Sequence, residues 1–133
     1  MATSAQYAST PVFGSANLTT ADTSLTAPTT VSTILTAGAS GTRIDYIDLQ
    51  GVATTVAGLI NLFVFDGTNY ILWQQVPVQA VTSSTTVPAF AFALSSNSNA
   101  NIMPLNLPTG YSLRATTSVA QTGVRVTAYG GNF

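Results

Sequence analysis

From residue 31 to the C-terminus, no window of this chain repeats its apolar residues every 3.6 positions, so no helix of substance is expected. What recurs is a series of short runs rich in Thr and Val, residues stiff at χ1 that favour a pleated backbone. Residues 31–35 form the first run and end at the turn-forming Gly38-Ala39-Ser40-Gly41. Residues 43–53 form a longer one, in which Ile44 and Tyr46 share one parity and Ile47 and Leu49 the other. A β-bulge near Tyr46-Ile47 would turn all four inward. Residues 59–65 are apolar almost throughout, as in a strand covered on both faces. Asp66-Gly67-Thr68-Asn69 is the clearest turn, so 59–65 and 70–76 are expected to form a hairpin that Pro77 ends.

Residues 78–87 read as a loop or an edge strand, and 89–94 as a strand with Phe90, Phe92 and Leu94 facing one way. In 102–107, Pro104 confines the run to an edge or a strand start. After the Pro108-Thr109-Gly110 turn, Tyr111, Leu113 and Ala115 alternate with polar residues, and so do Val124, Val126 and Ala128. About eight short antiparallel strands with turns between them predict an all-β, jelly-roll-like β-sandwich, with an immunoglobulin-like sandwich as the second choice. The sandwich domain is placed at 31–133. Residues 1–30 are rich in Ala, Ser and Thr, with Val12, Phe13, Leu18 and Leu25 as their large apolar members. That segment reads either as a frayed tail or as an extended N-terminal arm that orders against a neighbour.

Function is bounded by what the chain lacks. It has no Cys, His, Lys or Glu, and charged residues make up 5% of it against about 25% in a typical soluble domain. Zinc sites of the usual kinds, thiol and Schiff-base chemistry and the commonest neutral-pH base therefore have no residues to serve them. No enzyme is expected, and no catalytic, cofactor-binding or metal-binding residue is assigned. Asp45 and Asp48 are the only close carboxylates, and two fall short of the six to eight oxygens, roughly, that calcium takes. Their spacing in a strand also puts them on opposite faces unless a bulge intervenes. A net charge of −1 gives no attraction to nucleic acid. No basic leader followed by an apolar stretch stands at the N-terminus, and the most apolar run, 52–65, is too short to span a bilayer, so no membrane partner is expected. A surface of Thr, Ser, Asn, Gln and Ala loses its water cheaply because no ion is stripped, which suits burial in an assembly.

Arg114 and Arg125 sit at the polar parity of the last two runs. If those strands pair, the two side chains line one face and serve as inter-subunit hydrogen-bond donors. Trp73, Tyr70, Phe63 and Phe65 fall in one hairpin, and cross-strand packing accounts for them better than a sugar platform does.

The run Leu62-Phe63-Val64-Phe65-Asp66-Gly67-Thr68-Asn69-Tyr70-Ile71-Leu72-Trp73-Gln74-Gln75-Val76-Pro77-Val78 resembles a stretch of small virion structural proteins of tailed bacteriophages. So do Leu107-Pro108-Thr109-Gly110-Tyr111-Ser112-Leu113-Arg114-Ala115 and the ending Thr127-Ala128-Tyr129-Gly130-Gly131-Asn132-Phe133. The resemblance is to capsid decoration (cement) proteins and runs from about Arg43 to the C-terminus. It implies a homotrimer on the outer surface of a virion capsid, assembled in the host cytoplasm, with the major capsid protein as partner. Val12, Phe13, Leu18, Leu25, Arg114, Arg125 and Phe133 are the expected interface residues. The alternative is a carbohydrate-binding or adhesive β-sandwich of a tail, fibre or cell surface.

Overall fold

The computed structural model describes residues 8–95 and 104–133. Among the described residues there is no helix, and nine strands follow one another: β1 (Thr10–Leu18), β2 (Ser32–Thr36), β3 (Thr42–Gly51), β4 (Gly58–Phe65), β5 (Tyr70–Val78), β6 (Ala91–Ser95), β7 (Leu105–Leu107), β8 (Ser112–Thr117) and β9 (Val124–Asn132). They form two antiparallel sheets, one ordered β1-β9-β3-β6 with β7 also on β3, the other β2-β8-β4-β5. With the three-residue β7 set aside, successive strands cross between the sheets everywhere except at the β4–β5 hairpin, in the winding of a jelly roll.

The core between the sheets is mostly aliphatic, with Phe90 as its buried aromatic. Ile44, Ile47, Leu49, Val124, Val126 and Ala128 come from one sheet, and Ile60, Leu62, Leu113 and Ala115 from the other, all inaccessible to solvent. Alternation along β8 and β9 places these residues as the sequence predicts. In β3 the register shifts between Ile44 and Tyr46, one residue earlier than expected. The bulge therefore leaves Ile44, Ile47 and Leu49 inward and sends Tyr46 out. The β4–β5 hairpin forms around the Asp66-Gly67 turn, where Gly67 takes a φ of 99°. A second shift, between Leu62 and Phe63, leaves Trp73 without an opposite residue, and Trp73 is half-buried against the core.

Two expectations are revised. The segment assigned to an arm contributes a strand of the sandwich itself: Thr10–Leu18 pairs with β9 along its whole length, which raises the strand count to nine. It was obscured in the sequence because Gly14, Ser15, Ala16 and Asn17 are poor strand formers, and packing overrides propensity there. The last two strands, β8 and β9, lie in different sheets, so Arg114 and Arg125 do not share a face. Val78 ends β5, and residues 79–90 form a loop with one isolated bridge between Thr55 and Val81. Of the run 102–107, residues 102 and 103 lie outside the described residues.

Carboxylates organise two of the connections. Asp22 accepts backbone N–H bonds from Ser24, Thr29 and Thr30, closing the β1–β2 loop. Asp66 accepts from Thr68 and Asn69 across the hairpin turn. Bonds from Thr30, then Ser24 and Thr29, hold Asp22 below its ordinary pKa, and bonds from Asn69 and Thr68 do the same for Asp66. A folded-state pKa below the unfolded one adds stability that is present above the unfolded value, about 3.9, and is lost as pH falls through the folded value. Urea midpoints measured from neutral to strongly acid pH are therefore expected to fall in the wild type. The fall is expected to be shallower in the double variant Asp22→Asn, Asp66→Asn; parallel profiles would show that these carboxylates contribute nothing.

Candidate interaction surfaces

Each sheet turns a differently built face to the outside. On the β2-β8-β4-β5 sheet the cross-strand rows are Ser112–Phe65–Tyr70, Arg114–Phe63–Leu72 and Thr116–Asn61–Gln75. The last row is joined by hydrogen bonds: Asn61 Nδ2 donates to Thr116 Oγ1 (3.3 Å) and Gln75 Nε2 donates to Asn61 Oδ1 (2.9 Å). Arg114 lies over the Phe65 ring, 4.0 Å from its centroid. Its Nε donates to Ser112 Oγ and its Nη1 to the Tyr70 hydroxyl, each at 3.0 Å. Tyr70 meets Phe63 edge-on, with centroids 5.8 Å apart. Phe63 is inaccessible to solvent although it stands on the outer side of the sheet, outside the core cluster. Arg114 is thus a structural member of an outer-face aromatic cluster, a role that its alternation with Leu113 and Ala115 did not reveal.

On the β1-β9-β3-β6 sheet the outer face carries a row of stacked rings. Phe13, Tyr129 and Tyr46 stand side by side on β1, β9 and β3. Phe13 and Tyr129 stack with centroids 5.8 Å apart and planes within 7°, and Tyr129 and Tyr46 stack at 5.0 Å and 11°. The rings therefore stand like books on a shelf at about the 4.8 Å spacing of strands, with their edges outward. The next rows are Ser15–Thr127–Asp48 and Asn17–Arg125–Gln50. Desolvation, then the electrostatic effect of the neighbouring Tyr46 and Asp48, pushes the Tyr129 hydroxyl above its ordinary pKa. This ladder was not foreseen. It joins residues 13, 46 and 129, and their only sequence signal is an aromatic at the outward parity of each strand.

The remaining expected interface residues are spread over the molecule. Val12 is half-buried against the core and Leu18 lies inside it. Phe13 is 70% exposed and Leu25 40%. Arg125 is exposed on the ladder face, and Phe133 is half-buried, its backbone N–H donating to Gly41 O (3.2 Å). Asp45 is paired with Arg43 at 2.7 Å, the one ion pair among the described residues. No cluster of three or more metal-ligating Asp, Glu, His or Cys side chains occurs among the described residues. A small polar cleft of about 70 Å³ lies between the ends of β1, β2 and β8, lined by Asn17, Thr19, Thr30, Ser32 and Thr116 among others. The polar side chains at its rim already have protein partners where they are buried. The chain matches no protein-family model and no curated protein.

Proposed function

We propose that this chain is a structural protein of a virion that binds the outer face of an assembled capsid lattice as a decoration protein and works as an oligomer. The observation that carries the reading is the character of the surface. Large apolar side chains stand exposed on opposite rims of the sandwich: Phe13 on β1, Phe92 on β6 and Ile71 on β5, at 70%, 41% and 49%. Val52 and Val56 add to them in the β3–β4 loop. Scattered apolar exposure on a nearly uncharged surface suits a subunit with neighbours on several sides, because contact displaces water from apolar area and strips few ions. A protein that binds only the mature lattice stabilises that lattice by mass action, and many symmetric copies add avidity to weak contacts.

The jelly roll does not choose between this reading and a lectin-like one, since both use the fold. The aromatics favour the first. Trp73 packs against the core, and the ladder rings stack on one another, so that Tyr129 has both faces covered and the three do not spread into a flat platform for a sugar. The test is co-sedimentation of the purified protein with shells of the major capsid protein from the same virion, unexpanded and expanded. Binding to the expanded shell, with a rise in its melting temperature, is the expected result. Failure to bind either form would overturn the proposal, and selective retention on a glycan array would put the adhesive module in its place.

A further inference from the structure

We propose that β1 is a pairing edge for a second copy of this chain, joining two of the β1-β9-β3-β6 sheets antiparallel across a twofold axis. Natural sheets protect their rims with short strands, bulges, prolines or charges, because an open edge presents unpaired N–H and C=O groups to any other edge. The other rims here are protected in these ways. β6 has five residues and β7 three. β2 has five residues and a register shift between Thr33 and Leu35. β5 carries the irregularity at Trp73 and Pro77 near its end. β1 is as long as β5, at nine residues, and like every rim strand here it contains no charged residue, but it alone of the two long rims holds an unbroken register with its neighbour, β9. Pro11 removes one donor near its start and the Ile34 carbonyl of β2 packs on the inner side of Gly14, but the stretch from Val12 to Leu18 has no bulge, charge or further proline.

The occupant follows from the chemistry of that edge. Its far side has no strand of the same sheet among the described residues. An uncharged edge complements another uncharged edge, and two copies of β1 bring no like charges together. Antiparallel pairing about a twofold axis also leaves both ladder faces on the same side of the joined sheet. Phe13 ends the ladder with Tyr129 on one side of its ring and 70% of the residue exposed. A second Phe13 beside it extends the stack from one copy into the next.

The inference is independent of the capsid reading and points to an even-numbered assembly rather than the trimer that the resemblance implies. It is tested by light scattering and sedimentation equilibrium on the full chain. A concentration-dependent dimer is expected. The double variant Phe13→Lys, Ser15→Lys, which places like charges across the seam at two exposed positions, is expected to weaken it about tenfold or more. Thermal unfolding of the variant checks that its fold is retained. As a second readout, Ser15→Cys in this cysteine-free chain carries a spin label, and dipolar coupling between labels of two copies is expected. A wild type that stays monomeric, a trimer, a dimer indifferent to the lysines, or labels without coupling would each overturn the proposal.

Discussion

Phe63→Ala is expected to lose about 3–5 kcal/mol of stability, the range for a fully buried aromatic cut back to alanine. Stability totals only about 5–15 kcal/mol for a domain, so this is roughly a fifth or more of what holds the protein folded. The ring has no exposed surface, stands between Arg114 of β8 and Leu72 of β5, and is met edge-on by Tyr70. Alanine would leave a void on the outer side of the sheet, where Tyr70 is already tied to Arg114 and cannot collapse into it without giving up that hydrogen bond. Urea unfolding checks this directly. Ile71→Ala in the same hairpin, at a residue 49% exposed, should move stability by no more than about 0.5 kcal/mol. Equal losses for the two variants would mean that the outer-face cluster has no stabilising role.

Gly130→Ala is expected to cost about 3 kcal/mol, at the upper end for overpacking. A Cβ at Gly130 would overlap the carbonyl oxygen of Arg43 and crowd the Ile44 backbone. Both belong to β3, next to its bulge, and backbone cannot rotate aside as a flexible side chain can. The change therefore shifts either β3 or β9, which carry core residues at the centre of the sheet. Gly110→Ala is the matching control. That site is open, with nothing within 4 Å of a new Cβ, but its φ is +86°, so conformation alone should cost about 1–2 kcal/mol. Chemical denaturation ranks the two, and a Gly130 variant no worse than the Gly110 variant would show that β3 gives way easily.

Much of the fold was legible because the relevant signals are local. The Asp66-Gly67 turn sits between two apolar runs, and a hairpin with that turn followed. Alternation in 111–115 and 124–128 named Leu113, Ala115, Val124, Val126 and Ala128 as inward-facing, since a period of two is a property of the strand alone. The bulge in β3 was legible as a conflict of parities, though its position was not: crowding between Arg43 and Gly130 is a contact between distant segments. β1 was missed because its small and polar residues carry weak strand propensity, and its pairing with β9 spans almost the whole chain.

The candidate surfaces were less legible. Phe13, Tyr46 and Tyr129 meet only because β1, β9 and β3 are neighbours in one sheet. Arg114 and Arg125 were separated for the matching reason, since the chain crosses from one sheet to the other between β8 and β9. By itself the sequence determined the all-β class, the hairpin, the inward residues of each regular strand and the poverty of charge, since composition and short-range periodicity are written residue by residue. Only the tertiary structure decided which strands are neighbours. That choice made β1 an open rim, stacked three rings across one face and buried Phe63 on the other, because strand order is set by how the two sheets close over a shared core.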